Sequence, residues 1–153
     1  MTNRYKHQYS KKPKKRKSID EKGIRELTKV LDKVFSEYIR LKFSDDNGYC
    51  RCVTCGSIRK WNDIDNGHFI NRDVKATRFD EINCRPQCVS CNHYHSGKAY
   101  KFRQALVEIY GEKEIKDMER KAELGGSFCA YQLREMIIEY REKVRMLKNE
   151  KCL

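Results

Sequence analysis

Two Cys-x-x-Cys pairs constrain this chain more than any other feature of its sequence. The pairs are Cys52/Cys55 and Cys88/Cys91, and thirty-two residues separate them. Zinc in structural sites takes four ligands in a tetrahedron, and one Cys-x-x-Cys turn supplies two of them. Gly56 follows the first pair and eases the turn after its second ligand. We therefore predict that the four cysteines form one closed structural zinc site.

The other four cysteines are predicted to lie outside that site. Cys50 and Cys84 each lie near a pair, but neither makes a Cys-x-x-Cys with a neighbour. Cys129 and Cys152 are isolated in the sequence and are interpreted as ordinary thiols. A zinc ion held by four thiolates has no open position for water or substrate. Any chemistry must therefore come from other residues.

The charge distribution indicates a polyanionic partner. The formal net charge is +12, and the first seventeen residues are basic without a single acid. We predict that residues 1–17 form a disordered arm that binds nucleic acid through its phosphates; a solubilising tail is the alternative. The residues of this arm that we expect to contact nucleic acid are Lys11, Lys12, Lys14, Lys15, Arg16 and Lys17.

The sequence predicts a cytoplasmic protein. No apolar run approaches the roughly 20 residues needed to cross a bilayer, and the polybasic start precedes no apolar segment of a secretory signal. Thiols stay reduced in the cytoplasm, which favours metal ligation over disulfides for the paired cysteines. We expect neither a membrane partner nor an organic cofactor.

Helices are predicted on both sides of the cysteine-rich centre. In the segment 18–44, Ser18 and Glu21 fit a capping box that opens a helix over about 19–43. Its apolar stripe comprises Ile24, Leu27, Leu31, Val34, Tyr38 and Leu41. A helix is also predicted from Ser96 to Tyr110, with Gly111 as its stop.

The C-terminal segment 112–153 is predicted to hold a short helix over 112–123 and a last helix capped by Ser127. The stripe of the last helix comprises Leu133, Ile137, Tyr140, Val144 and Leu147. The first and last helices thus both carry heptad-like seams. These seams either pack on each other within one chain or join two chains into a dimer, and the sequence does not decide between the two.

The centre, 45–111, contains candidates for metal-dependent phosphodiester hydrolysis. His68 lies between the cysteine pairs, and Asn92 directly follows the second pair. Hydrolysis needs a base to activate water, and a neutral imidazole with a pKa near ~6.5 suits that task. It also needs a hard cation at the scissile phosphate, and one amide oxygen can place a magnesium ion that keeps most of its waters.

These residues also resemble a known family. The motifs are Gly67-His68-Phe69-Ile70-x-Arg72, Arg78-Phe79-Asp80-Glu81-x-Asn83-Cys84, Gln87-Cys88-x-x-Cys91-Asn92 and Ser96-Gly97. They are similar to the HNH, or His-Me finger, ββα-metal nucleases, and most similar to the phage NinG (Rap) recombination nucleases. The resemblance implies an α+β fold in which a small zinc-stabilised ββα-metal core is flanked by N-terminal and C-terminal α-helices. It also implies a phage or prophage protein in a bacterial host.

The resemblance implies a role for each matched residue. His68 would be the general base, Asn92 would ligate a single Mg²⁺ or Mn²⁺, and Asn83 would hold the loop that orients the base. Arg72 and Arg78 would grip the phosphate through their planar guanidinium groups.

Three further residues are lower-ranked candidates for metal ligation. Many HNH enzymes place an aspartate directly before the histidine, where this chain has Gly67. Asp65 lies three residues before His68 and ranks below Asn92. If a helix begins near Cys91, His95 lies one turn beyond Asn92 and could also reach the metal, and His93 is a weaker candidate.

The resemblance implies an endonuclease that cuts branched recombination intermediates such as Holliday junctions and displacement loops. Paired symmetric cuts would require a homodimer. Two alternatives are a zinc-stabilised DNA-binding module without catalysis and an HNH nuclease that acts on linear DNA.

Overall fold

The computed structural model describes residues 18–153, and the predicted basic arm, 1–17, lies outside them. Within residues 18–153 there are four longer helices and two small two-stranded antiparallel sheets. The helices are α1 Ile24–Lys42, α2 Ala99–Tyr110, α3 Glu112–Leu124 and α4 Ala130–Lys151, and the strands are β1 Tyr49–Arg51, β2 Ile58–Lys60, β3 Asp65–His68 and β4 Cys84–Gln87. The fold class is therefore α+β, as the sequence predicted.

Short helical turns connect the strands and helices at the centre. A 3₁₀ turn, Lys75–Thr77, lies in the loop between β3 and β4. A π-helical turn, Ser90–Tyr94, follows β4, and a 3₁₀ turn, Ser96–Lys98, precedes α2. Strand β1 pairs with β2, and β3 pairs with β4 so that Asp65 lies opposite Gln87 and His68 opposite Cys84.

The first and last helices pack on each other within the chain. Among the described residues, the largest buried cluster combines residues of α1 and α4 with Phe79 and with Cys84 of β4. Its members are Leu27, Leu31, Phe35, Tyr38, Ile39, Leu41, Phe79, Cys84, Leu133, Ile137, Tyr140 and Val144. The ring of Phe35 meets that of Tyr140 edge-on, with the ring centroids 4.9 Å apart. Both predicted seams are therefore used inside one chain, and they supply no argument for a dimer.

Three predicted helix starts differ from the structure. Ser18 N–H does donate to Glu21 (2.8 Å), but α1 begins only after Gly23, whose N–H donates to Glu26 (3.3 Å). Helix α2 begins at Ala99 because the three preceding residues have positive φ angles. Helix α4 begins after Cys129, whose N–H donates to the side chain of Gln132 (2.9 Å), so Ser127 is not its cap.

A second cluster packs α2 on α3 behind the strands. It comprises Phe102 and Leu106 of α2 with Ile115 and Met118 of α3, and Phe69 and Ile70 pack against it. Gly111 separates the two helices at φ +88°, a conformation that L side chains rarely adopt. Within residues 18–153, no helix is both long enough and apolar enough to cross a bilayer.

Glu81 joins the β3–β4 loop to both α1 and α4. Its carboxylate accepts hydrogen bonds from Tyr38 (2.9 Å), Tyr140 (3.1 Å) and Lys42 (2.5 Å), and Lys143 lies 3.6 Å away. Burial by itself would raise the pKa of Glu81, but the hydrogen bonds from Lys42 and the tyrosines hold this pKa below its usual range. A carboxylate with a depressed pKa stabilises the fold above its unfolded-state pKa, and that contribution is lost as the pH falls.

We expect Glu81→Gln to lower the free energy of unfolding at pH 7 by about 1 kcal/mol, because charge-assisted hydrogen bonds are lost while the group is partly exposed. The difference from wild type should shrink as the pH falls below the unfolded-state pKa of about 4.3 and toward the lower pKa of the folded carboxylate. Urea unfolding followed by circular dichroism, at pH 7 and at a pH below the unfolded-state pKa, measures the free-energy difference between variant and wild type. The control is Glu139→Gln, which removes an exposed partner of Lys143 and leaves Glu81 in place. An equal loss of unfolding free energy in both variants at both pH values would contradict the stabilising role of the Glu81 carboxylate.

Candidate metal centre and adjacent cavity

The four cysteines of the two Cys-x-x-Cys pairs meet at one point. The sulfur atoms of Cys52, Cys55, Cys88 and Cys91 all lie within 4.8 Å of one another. The Sγ atoms of Cys55 and Cys88 are 3.7 Å apart. A tetrahedral site with Zn–S bonds of about 2.3 Å has sulfur atoms about 3.8 Å apart. The cluster could therefore hold a metal ion such as zinc.

Local structure brings the two pairs together. The turn from Cys52 to Gly56 is closed by the bond from Gly56 N–H to Cys52 O (2.9 Å), and Gly56 has φ +75°. The N–H of Val53 donates to Pro86 O (3.0 Å), which joins this turn to the end of β4. Cys88 directly follows β4, and Cys91 lies in the π-helical turn.

Hydrogen bonds within the cluster favour a thiolate. Burial would raise the pKa of Cys52, but the backbone N–H of Cys88 donates to its sulfur (3.3 Å) and Thr54 adds further hydrogen bonds. The net effect lowers the pKa of Cys52 to about 6. A thiolate is the form that binds a metal ion, so the protein environment suits ligation.

Cys50 and Cys84 differ from the four clustered cysteines. Burial raises the pKa of Cys50 to about 11, and its Sγ donates to Arg40 O (3.1 Å). Burial also raises the pKa of Cys84, which belongs to the cluster between α1 and α4. Both are protonated thiols of the core. Cys129 and Cys152 are exposed and lie outside the cluster.

His68 and Asn92 line one cavity of about 550 Å³ beside the cysteine cluster. Strand β3 supplies His68 as its last residue, and the π-helical turn supplies Asn92 next to Cys91. The other lining residues are Asn66, Phe69, Asn71, Arg72, His93, Ser96 and Gly97. Because Asn92 directly follows Cys91, the contact between the Cys52–Gly56 turn and the end of β4 also sets the position of Asn92.

The imidazole of His68 is held in one orientation. Its Nε2 lies 3.1 Å from the backbone carbonyl of Arg78. A carbonyl only accepts, so Nε2 carries the hydrogen and Nδ1 keeps the lone pair in the neutral ring. Burial lowers the pKa of His68, the hydrogen bonds to the backbone of Arg78 and Asn66 oppose that shift, and the positive charges of Arg72 and Arg78 add to it, so that the net effect is a lowered pKa. The ring is therefore neutral at physiological pH and able to accept a proton at Nδ1.

Asn83 fastens the loop that follows His68. Its side chain is fully buried, accepts the N–H of Ile70 (2.7 Å), and donates to the carbonyls of Ile70 (2.9 Å) and Thr77 (3.0 Å). One amide group therefore bridges both ends of the segment 70–77. The carbonyl of Arg78, which orients His68, directly follows that segment.

Asn92 is oriented by Asp65. The Nδ2 of Asn92 lies 3.1 Å from Asp65 Oδ2, and the Nε2 of His93 lies 3.1 Å from the same oxygen. With its amide nitrogen directed to Asp65, Asn92 has its amide oxygen left as an acceptor. His95 adopts a non-helical conformation after the π-helical turn and does not line the cavity, so it does not continue a helix face from Asn92, and its role as a metal ligand stays a prediction. His93, the weaker candidate, lies at the cavity instead.

The two arginines have different surroundings. Arg72 lines the cavity, whereas Arg78 forms a bidentate pair with Asp32 of α1 (2.8 and 2.7 Å) and also donates to Arg72 O (3.0 Å). Asp32 and the Arg72 carbonyl already bind the Arg78 guanidinium group, so Arg72 is the better placed of the two for the predicted phosphate contact. Sequence reasoning missed Asp32, which resembles an ordinary polar residue on the exposed side of α1.

Gly67 has a steric reason to be glycine. A Cβ atom at this position would lie 2.6 Å from Gln87 Oε1 and 3.1 Å from the Phe102 ring. Gln87 is itself fully buried, and its Nε2 donates to Gly97 O (2.7 Å) at the cavity. An aspartate, which many HNH enzymes have before the histidine, would not fit here.

We expect Cys88→Ser to lower the zinc content of the purified protein well below one ion per chain, because serine replaces a soft thiolate ligand with a hydroxyl. The centre should also unfold at a lower temperature, since bound metal stabilises such small cores. Atomic emission and thermal unfolding measure the two effects. Cys152→Ser, an exposed cysteine outside the cluster, is the control, and an unchanged zinc content in Cys88→Ser would contradict this assignment.

The chain is similar to phage proteins named ninG. It is 27% identical over 103 residues to protein ninG of Escherichia phage 933W, which covers 65% of this chain and 49% of that protein. It is 26% identical over 103 residues to protein ninG of Escherichia phage lambda, with 65% and 48% covered. The chain thus spans about half the length of these relatives. No solved structure matches it.

A family comparison covers nearly the whole chain. The family described as Bacteriophage Lambda NinG protein matches residues 1–150. This range includes the cysteine cluster, His68 and Asn92 at the cavity, helix α1, and all of helix α4 except its last residue. The chain therefore belongs to the phage NinG protein family.

Proposed function

We propose that this protein is a metal-dependent DNA endonuclease with an HNH, or His-Me finger, core. The observation that carries the proposal is that His68 and Asn92 line the same cavity. The proposal is also supported by the antiparallel pair β3–β4 and the π-helical turn after it, because two strands and a helical element follow one another in ββα order. The cysteine cluster would act as its structural support.

The residues of the cavity can divide the work of phosphodiester hydrolysis. His68 Nδ1 accepts the proton of the attacking water, while the Arg78 carbonyl stabilises the resulting imidazolium through the Nε2 hydrogen bond. Asn92 would hold a Mg²⁺ or Mn²⁺ ion through its amide oxygen, and Asp65 would keep that amide oriented. A divalent cation there would supply charge stabilisation for the phosphate and the leaving oxygen. Arg72 would bind a phosphate oxygen from the cavity wall.

We expect His68→Ala to reduce DNA cleavage by about 10²- to 10⁴-fold, the usual contribution of a general base. Asn92→Ala should abolish cleavage and leave zinc content and helicity unchanged. Wild-type activity should rise with pH. Its midpoint should lie below the value of about 6.5 that is usual for a free imidazole, because burial lowers the pKa of His68. The measurement is cleavage of labelled DNA in Mg²⁺ or Mn²⁺.

Asn149→Ala is the matched control for Asn92→Ala, since Asn149 lies near the end of α4 and does not line the cavity. Full activity of Asn92→Ala would contradict the proposal that Asn92 holds the catalytic divalent cation. DNA binding without cleavage in every metal would favour the alternative of a zinc-stabilised binding module.

Branched recombination intermediates are the proposed substrates, through the resemblance to NinG recombination nucleases. The cleavage panel should therefore include a four-way junction, a displacement loop, a flap and a linear duplex. Preferred cutting of the linear duplex would favour the alternative of an HNH nuclease acting on linear DNA. Symmetric cutting of a junction needs two sites, and on that ground alone we propose a homodimer.

Asp32 is a positioning residue for the proposed reaction, because it holds Arg78, whose carbonyl orients His68. We expect Asp32→Asn to lower kcat about 10- to 100-fold through misorientation of the base, with little change in KM. The nitrogen chemical shifts of His68 should also show a mixture of tautomers. Asp32→Glu should restore part of the lost kcat and part of the single-tautomer signal of His68.

Glu37→Gln is the control for Asp32→Asn. Glu37 also lies on α1 and forms an ion pair, but with Lys148 of α4 (2.6 Å). If both variants lowered kcat equally and left the His68 tautomer unchanged, Asp32 would act only through general stability.

A further inference from the structure

The turn between Asn92 and α2 has an unusual backbone. Ser96, Gly97 and Lys98 have φ angles of 47°, 71° and 48°. Left-handed conformations are unfavourable for residues other than glycine and persist only where surrounding contacts impose them. Here Gln87 Nε2 donates to Gly97 O (2.7 Å), and Lys98 N–H donates to His95 O (3.0 Å). A buried strand residue therefore holds the turn in place.

This turn lies between two highly exposed tyrosines. Tyr94 ends the π-helical turn and is 80% exposed, and Tyr100 lies in the first turn of α2 and is 75% exposed. Ser96 and Gly97, between them, line the cavity that contains His68 and Asn92. The Nε2 of Gln104 donates to the hydroxyl of Tyr100 (3.2 Å). Two aromatic side chains thus stand in solvent at the two ends of the turn that forms part of the cavity wall.

The charge around the tyrosines suits a polyanion. The sequence has no aspartate or glutamate between Glu81 and Glu108. Lys98 is the last residue of the turn, Lys101 is exposed in α2, and Arg72 lies in the cavity wall. Exposed aromatic rings beside basic side chains are the arrangement by which proteins bind single-stranded nucleic acid, with bases stacked on the rings and phosphates near the cations.

We propose that Tyr94 and Tyr100 form a stacking surface for unpaired DNA bases next to the cleavage cavity. This inference rests on the proposed endonuclease function and names its substrate class, which is DNA with unpaired nucleotides at the cut site. Bases inside a continuous duplex stack on one another and offer no free face to a tyrosine. The surface would therefore select gaps, flaps and open junctions by their exposed bases and not by their sequence.

The test measures binding without cleavage, at fixed ionic strength and without added divalent cation. The probe is a duplex with a short single-stranded gap that contains 2-aminopurine, and a continuous duplex with the same base is compared. We expect wild-type protein to quench the fluorescence of the gapped probe and to prefer it over the continuous duplex. Tyr94→Ala/Tyr100→Ala should lose the quenching and bind the gapped probe about 5- to 100-fold more weakly.

Two further variants separate stacking from folding. Tyr94→Phe/Tyr100→Phe keeps both rings and should retain quenching and preference, because stacking needs the ring and not the hydroxyl. Tyr131→Ala removes a tyrosine of α4 that is 67% exposed and does not line the cavity, and it should bind like wild type. Circular dichroism and zinc content establish that each variant is folded.

The outcomes are distinguishable from those of the cleavage assay. If the double alanine variant quenched and discriminated like wild type, the stacking surface would be refuted while the endonuclease proposal stood. Equal wild-type affinity for gapped and continuous DNA, or a preference for single-stranded RNA or an acidic peptide over gapped DNA, would also refute it. Wild-type protein that neither bound nor cut any DNA would overturn both proposals.

Discussion

The arrangement of the cavity depends on the contact between the four clustered cysteines. The centre of the chain has little apolar material, and the buried cluster at this point consists of cysteines and Ile64, with Trp61 packed against it. A hydrophobic core of that size cannot order a segment with strands of three or four residues. A metal ion bound by the thiolates would supply the missing stabilisation. Because Asn92 adjoins Cys91, the same contact places a candidate catalytic side chain.

The helix pair α1 and α4 does more than flank this centre. Asp32 of α1 holds Arg78, and Tyr38 and Tyr140 hold Glu81 from the two helices. Both anchored residues lie in the loop between β3 and β4. Asn83 fastens the inner side of that loop, so the carbonyl that orients His68 is fixed from both sides. The position of a candidate general base thus depends on residues far away in the sequence.

Much of this structure could be predicted because its signals are local. The apolar stripes on α1 and α4 follow the helical period, and Leu27, Leu31, Leu133 and Ile137 are buried as that period requires. Helix starts were less predictable. Gly23 and Cys129 begin helices without a side-chain cap of their own, and α2 starts late because Gln87, a residue of another element, holds the preceding turn.

The sequence by itself determined that two cysteine pairs would close one site, that two amphipathic helices would bury their stripes, and that His68 lies between the pairs while Asn92 directly follows the second pair. These features follow from covalent spacing and from helical and turn geometry. Only the tertiary structure decided that the seams meet within one chain, that Asp32 takes the guanidinium of Arg78, and that Asp65 turns the amide of Asn92. Several acceptors compete for each donor, and only the folded chain determines which of them lies within hydrogen-bonding distance.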